Sequence, residues 1–507
     1  MRTKNVFYNM IIVLCSNIIL PILGLLKYSF FVGFYGSSVN GLQLTIIQII
    51  MFMNICEISF SLAFRQLLYK PLATLNKKLI LKYYNGAVRV FRIVGVLFLI
   101  VSVIGAIVFP LVGDSPYDYI STLFIFLLFC LPYGVSYFLM GPNLILIADQ
   151  KEYRINIWIQ GIAIVRMLLM IGIVLLKLDF IFIIIIEGLN ILLSNIISRW
   201  IALRAYPWLL DQSVVGDCKE FVESAKFTLA QRLSILATSN TDNIIISLFM
   251  GYNMTSVFGS YSYLSDSLSK IVNGVITSAI NSFGNLFNDS NARPYSVFKE
   301  FFNFASFIGS IISICVFIIM NDFLYHWLND PSLYFVGDIT SFLFGINLFY
   351  FIIKEPIIIV RDANGLFKYS RNNAILIAFT KIVFSLLLVG CYGFNGILLA
   401  TFMAYWVVDF LYNPRLVYKS IFGVGSLNYY RMVFVRVVIM GVVGFIYYFV
   451  WNSYLSFIGV NIINFLLAGL LLGIGVSISL LVLYYLLFKE FRDIIVRIIN
   501  LLFSFIK

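Results

Sequence analysis

Twelve ionisable side chains stand inside stretches of this 507-residue sequence that are otherwise nearly all apolar. The cations are Lys27, Arg166, Arg232, Lys270, Lys354 and Lys381, and the anions are Glu57, Glu187, Asp242, Asp266, Glu355 and Asp409. A charge at the centre of a membrane helix costs about 2.5–3.5 kcal/mol on insertion scales, so such residues face a cavity or a partner. Bond-making chemistry has little to work with. There is one histidine, His326, and no P-loop, no HExxH and no Ser/His/Asp set. What remains is a lumen or conformational role: ionised groups at depth line a wet passage or exchange partners as the bundle moves. On this reading Arg166, Lys270, Lys381, Arg232 and Lys27 are substrate-binding, and Asp242, Glu57, Glu187 and Asp266 are coupling or gating residues. Arg166, Lys381, Asp242, Glu57 and Lys270 lie deepest. Asp409, Lys354 and Arg232 are near enough to one face to snorkel. Lys354 and Glu355, beside Pro356, fit a helix end, and Asp266 and Lys270 have the i,i+4 spacing of a simple pair. Depth matching suggests two pairs, Lys381 with Asp242 and Arg166 with Glu187.

The elements that carry these residues follow from composition. The sequence is 61% hydrophobic and 11% charged, with mean hydropathy +0.98, whereas a soluble globular chain is about 25% charged. Apolar runs of about 20 residues cover 7–33, 41–64, 93–113, 119–148, 155–176, 180–203, 227–250, 257–287, 300–321, 334–360, 372–391, 395–414, 432–451 and 458–488. Tight turns are expected at Gly36, Leu178, Gly251 and Gly393. The formal net charge of +12 does not indicate nucleic acid, because the basic residues fill alternate short links: Arg65 to Arg92, Lys151 and Arg154, Arg199 and Arg204, Lys219 and Lys226, Arg293 and Lys299, Arg361 to Arg371, Arg415 to Arg436, and the tail from Lys489 to Lys507. The other links hold Asp114, Asp118, Asp179, Asp322, Asp330 and Asp338, with Lys177 as their cation. This alternation obeys the positive-inside rule and puts both termini in the cytoplasm. Arg2 and Lys4 precede an apolar run with no small-residue cleavage site, which fits a retained first span. The cysteines, Cys15, Cys56, Cys130, Cys218, Cys315 and Cys391, form no CxxC and suggest spectators rather than a disulfide or metal site. No metal or other cofactor is expected. Gly469 and Gly473 form a GxxxG, whose ordinary meaning is close helix packing.

The longest polar link, 205–226, divides the chain into a first lobe of six spans (1–204) and a second of six (227–420), with two further spans and a tail in 421–507. Pro142 precedes Arg166, and Pro356 precedes Lys381, at nearly equal spacing, a weak internal repeat of the kind transporters carry. The expected class is an all-α polytopic membrane protein of about fourteen helices, six plus six with two extra C-terminal helices.

Five stretches carry a family resemblance. They are Tyr35-Gly36 through Asn40-Gly41-Leu42 and Glu57 into Arg65–Ala73; Asp242–Ser247 with Gly251 and Tyr261; Ser282–Leu286; Arg361–Phe367; and Gly396 with Thr401, followed by Pro414–Lys419. Over most of its length the chain resembles the Wzx-type polysaccharide flippases of the multidrug/oligosaccharidyl-lipid/polysaccharide (MOP) exporter superfamily. The resemblance implies two six-helix lobes around a central lumen, with spans one, two, seven and eight lining its gate, and cations of the lumen binding a diphosphate by charge-assisted hydrogen bonds. It implies that undecaprenyl-diphosphate-linked oligosaccharide moves from the inner to the outer leaflet of a bacterial cytoplasmic membrane for surface polysaccharide assembly. Membrane lipids are the surroundings, and polysaccharide polymerase and glycosyltransferases are candidate partners. Glu57 and Asp242 map onto positions usually acidic in relatives. Lys381 departs from a stretch that often holds Asn or another small polar residue, and a lysine there replaces a bound cation electrostatically. Whether a proton or sodium couples transport is open. The rival readings are a cation-coupled drug antiporter of the same fold and, from another class, a membrane-embedded polysaccharide polymerase or ligase, which needs larger outer loops than this chain offers.

Overall fold

The computed structural model describes residues 2–211, 213–216, 219–287, 294–328, 337–364, 366–455 and 462–496. Asp217, Cys218, Arg293, Asp330, Gly365, Arg497 and Lys507 lie outside the described residues. The helices are α1 (Arg2–Tyr35), α2 (Ser37–Met53), α3 (Ile55–Ala73), α4 (Lys77–Val108), α5 (Tyr119–Leu139), α6 (Pro142–Ala148), α7 (Tyr153–Leu175), α8 (Phe180–Ala205), α9 (Lys219–Ser239), α10 (Asp242–Phe287), α11 (Pro294–Leu328), α12 (Asp338–Ile353), α13 (Glu355–Ala363), α14 (Phe367–Tyr392), α15 (Phe394–Phe402), α16 (Phe410–Val417), α17 (Leu427–Val450) and α18 (Ile462–Leu487). Among the described residues eleven helices are long and apolar enough to cross a bilayer, and the pair α2–α3, bent by 44°, makes a twelfth. Against the fourteen expected, α1 offers only the shorter apolar stretch Ile19–Tyr35 among the described residues, and Arg232–Val272, kinked at Gly251 (φ 81°), counts once. Large apolar side chains such as Phe434 and Phe445 are exposed along outer helix faces. Such a surface is at home in lipid, where helices satisfy their own backbone groups.

The breaks have local causes. Gly36 and Gly393 take positive φ, as does Gly251, a conformation that suits glycine. Between α9 and α10 the run Thr238-Ser239-Asn240-Thr241 interrupts the helix, ending it earlier than the expected 250. There Thr238, Ser239 and Thr241 turn their hydroxyls back onto carbonyls of the preceding turn. Acidic residues of the short links start helices. Asp118 accepts from Ser121 N at 3.3 Å and Asp179 from Ile181 N at 2.8 Å, so both are N-caps.

By packing the chain forms two compact units, Met1–Gly259 and Ser260–Lys507. In the first, α1 lies along α7, α5 packs between α4 and α8, and α3 packs on α9. Asn40 on α2 donates from Nδ2 to Tyr28 Oη and to Ser256 Oγ, both at 2.8 Å, tying α1, α2 and α10 together. At Gly41 a Cβ would overlap the Tyr252 carbonyl. In the second unit α11 is the central rod, touching α12, α17 and α18, while α14 packs on α15. Gly469 and Gly473 are not a tight crossing. Together they line a groove of about 530 Å³ between α11 and α18. Close approach of α17 and α18 comes instead at Gly475, where a Cβ would lie 2.9 Å from the Tyr447 ring.

Candidate functional site

The first unit gathers charge from separate helices. Arg166 lies mid-way along α7 and Glu187 two turns into α8, which packs on it. Arg166 Nη1 donates to both carboxylate oxygens of Glu187, at 2.6 and 2.8 Å. This is the pair expected from depth. The side chains are 17% and 19% exposed, so the pair is sheltered but reachable. The Arg166 Nε is buried without a hydrogen-bond partner. Lys27 on α1 interacts electrostatically with both, favourably with Glu187 and unfavourably with Arg166. Its ammonium also sits 4.3 Å from the Phe31 ring centroid. The Tyr133 hydroxyl on α5 is in the field of Glu187, Arg166 and Glu57. Lys27, Glu57, Tyr133, Arg166 and Glu187 therefore form one polar neighbourhood drawn from α1, α3, α5, α7 and α8.

Glu57 owes its place to a break that sequence reading passed over as one span, 41–64. Asn54 separates α2 from α3, and its Oδ1 accepts from Tyr137 Oη at 3.1 Å. Glu57 then falls in the first turn of α3, where the free N–H groups of a helix favour negative charge. An asparagine with no aromatic partner in view looks like any polar residue in a span, and Tyr137 is 83 residues away.

The second unit handles charge differently. Asp409 was expected to reach a membrane face. It is instead 3% exposed. Its Oδ1 accepts from Asn373 Nδ2 and Asn413 Nδ2, each at 2.6 Å, and its Oδ2 from Tyr350 Oη at 3.0 Å. Asn413 in turn accepts from Arg361 Nη1 at 3.2 Å. The net stitches α12, α13, α14 and α16. Lys354 lies over the Phe351 and Tyr405 rings, 4.4 and 4.6 Å from their centroids. Arg436, grouped by sequence with the cytoplasmic link, is buried on α17. It donates to Asn303 Oδ1 at 2.6 Å and stacks 3.9 Å from the Phe488 centroid.

The remaining expected residues scatter. Lys381 is buried on α14, Arg232 is half-buried on α9, Asp242 is half-buried in the first turn of α10, and Asp266 and Lys270 are exposed on α10. Pro142 and Pro356 both open short second helices, α6 and α13, ahead of the helices that carry Arg166 and Lys381, which gives the repeat a structural form. Among the described residues no cluster of three metal-ligating side chains occurs. Cys56, Cys130, Cys315 and Cys391 are free thiols. The His326 ring packs against Phe465 and Tyr325.

No protein-family model and no curated protein matches this sequence. Solved structures do. The lipid II flippase MurJ in an inward closed conformation superposes with a TM-score of 0.71 at 15% identity, covering 96% of this chain and 100% of that one. An inward-facing multidrug resistance MATE family transporter of the MOP superfamily gives 0.58 at 13% identity over 80% of this chain and 97% of its own. An outward-facing MATE family transporter of that superfamily gives 0.53 at 12% over 81% and 94%. At these identities the likeness is one of fold. The chain is a multi-pass membrane protein with the fold of MOP superfamily transporters.

Proposed function

We propose that the protein is a flippase for undecaprenyl-diphosphate-linked oligosaccharide, moving the head group from the inner to the outer leaflet by alternating access of a charged hydrophilic lumen. The observation that carries this reading is the assembly of Lys27, Arg166 and Glu187 within the first unit. A sugar head group cannot enter hydrocarbon alone, since each unpaired hydroxyl costs about 4–8 kcal/mol in water-to-alkane transfer. Its diphosphate needs cations at depth. Arg166 offers a planar fork suited to phosphate oxygens, now occupied by Glu187, and a free Nε–H. An arriving diphosphate competes with Glu187 for that fork, and Lys27 stands ready to take the displaced carboxylate. Binding thereby exchanges ionic partners instead of stranding one. An inside-negative potential adds about 2.3 kcal/mol per charge per 100 mV to outward movement of an anion. The MurJ neighbour, named for lipid II, supports a lipid-linked substrate. The resemblance to Wzx-type proteins supports an oligosaccharide for a surface polymer made with a polymerase and glycosyltransferases. The same argument puts the protein in a bacterial cytoplasmic membrane with both termini inside.

The test is flipping of lipid-linked oligosaccharide in proteoliposomes. Replacing Lys27, Arg166, Lys270 or Lys381 by glutamine lowers the rate about tenfold or more for those that bind the diphosphate, with unchanged insertion and monodisperse elution. Wild-type rates in all four variants defeat the proposal. A cation-coupled drug antiporter is the second reading, favoured by the MATE neighbours. Drug efflux driven by an imposed proton or sodium gradient, without any effect of lipid-linked oligosaccharide, selects it.

A further inference from the structure

A groove in the second unit takes no part in that reading. It runs between α11, α12 and α17 with a volume of about 420 Å³. Its rim residues Phe342 and Phe445 are exposed, and in a bundle whose solvent is lipid such side chains face acyl chains. Glycines hollow it out. A Cβ at Gly345 would lie 2.9 Å from the Ser313 carbonyl oxygen, and a Cβ at Gly441 would meet nothing within 4 Å.

One end of the groove is acidic. Asp338 Oδ2 accepts from Tyr448 Oη at 2.6 Å and Oδ1 from Asn321 Nδ2 at 3.4 Å. Asp322 also acts on Tyr448 electrostatically, and its Oδ2 accepts from Trp451 Nε1 at 2.7 Å. Every one of these donors is neutral. Two carboxylates close to one phenol, with no ion pair to either among the described residues, make a place that favours a cation. A second feature lies deeper. Ser313 lines the groove, is 2% exposed, and its hydroxyl has no hydrogen-bond partner. An unsatisfied buried hydroxyl costs about 1–3 kcal/mol, which an arriving acceptor recovers. Ser313 lies beside Gly345, seven residues along α12 from Asp338, so the hydroxyl is about 10 Å below the carboxylate at 1.5 Å per residue.

We propose that this groove binds an amine-headed phospholipid of the ethanolamine class: the ammonium sits on Asp338 beside Asp322, an ester carbonyl accepts from Ser313, and one acyl chain runs past Gly441 and Gly345. The order of features along the groove is the order of the matching groups along such a lipid: ammonium first, then, beyond the phosphodiester whose charge the ammonium balances, the ester carbonyl and the chain. Phosphatidylglycerol has the same phosphodiester without the ammonium and so brings a net negative charge to two carboxylates. A polyprenyl phosphate has neither an ammonium for Asp338 nor a carboxylic ester carbonyl for Ser313.

The test uses the full-length protein purified in detergent and native mass spectrometry with added dioleoyl phosphatidylethanolamine, dioleoyl phosphatidylglycerol or undecaprenyl phosphate. Loss of one charge-assisted hydrogen bond, about 1.5–3 kcal/mol, corresponds to about tenfold or more in affinity. Phosphatidylethanolamine is therefore expected to bind about tenfold tighter than phosphatidylglycerol. Asp338→Asn is expected to erase the difference, and Gly441→Leu, whose side chain enters open space, to remove the site for both. Equal retention of the two phospholipids by the wild-type protein overturns the proposal without recourse to any variant. So does phosphatidylethanolamine binding untouched by Gly441→Leu, or preferential occupation by undecaprenyl phosphate.

Discussion

Each unit buries charge within the membrane, yet the two do it by opposite means. In the first, Arg166 and Glu187 neutralise each other with Lys27 beside them, and the pair keeps some exposure. In the second, Asp409 takes its hydrogen bonds from three neutral donors, Tyr350, Asn373 and Asn413, with the Lys354 charge acting on it without a hydrogen bond, and it has almost no exposure. An ion pair with a second cation in its field offers Glu187 an alternative partner. A carboxylate gripped by three neutral donors from different helices has a single arrangement. The first arrangement suits a site that changes partners, and the second suits a joint that holds α12, α14 and α16 in register. Buried charge is thus not a single signal. What surrounds it separates a binding site from a rivet.

The largest break in this comparison is Asp409→Ala. It strands three buried donors, each costing about 1–3 kcal/mol. The expected outcome is loss of most folded protein, measured as monodisperse yield and melting temperature in detergent. Wild-type melting removes the rivet. Next in size is the Arg166–Glu187 cycle. Arg166→Ala removes the bidentate partner of Glu187, costing at most about 3 kcal/mol, the low end for breaking a buried pair because this one is partly exposed, and less to the extent that Lys27 takes over the carboxylate. Arg166→Ala with Glu187→Ala is expected to melt closer to wild type than either single variant while remaining inactive in flipping. If the two losses add, the residues are not coupled.

The comparison also explains what could be read from the sequence. Apolar runs, glycine turns and link charges are local, and hydropathy with glycine position gives them directly: Gly36, Gly251 and Gly393 lie where the chain turns, whereas the breaks at Asn54 and at Thr238–Thr241 carry no glycine and were passed over. The Arg166–Glu187 pair was legible because α7 and α8 are consecutive, so equal depth implies contact. Lys27 was recognised as charged at depth, but its place beside that pair depends on α1 lying along α7, which no local pattern encodes. The Asp409 rivet was misread as snorkelling because its donors are neutral and two of the three are far away in sequence, Asn373 by 36 residues and Tyr350 by 59, while Asn413 is a helical turn away. Hydropathy scores an asparagine in a span as a blemish, and only tertiary packing turns it into a partner. The acids of the short links served as orientation signals, and Asp118 and Asp179 prove also to cap helices.

The mildest expected effect lies at the end of the second unit, where charge meets water and neither arrangement is needed. Lys299 on α11 holds Glu490 of the helical segment 489–496 at 2.6 Å. Partial burial pushes the Glu490 carboxyl up, but the Lys299 hydrogen bond and charge outweigh it and hold the group below the ordinary glutamate value. A carboxyl depressed in the folded state adds stability that is complete above the unfolded value, about 4.3, and disappears as pH falls through the lower folded value. The loss is local, because Phe491 remains buried against Phe307 and Tyr484. Hydrogen exchange of 489–496, corrected for intrinsic rates, is therefore expected to quicken modestly between pH 6 and pH 3 while the amides of α12 and α14 around Asp409 stay protected. Lys299→Ala is expected to give the faster exchange already at pH 6 and to flatten its pH dependence. Unchanged exchange in that variant means that aromatic packing alone holds the segment. Quickening of α12 and α14 to the same extent contradicts the distinction between a solvent-tuned contact and an enclosed one.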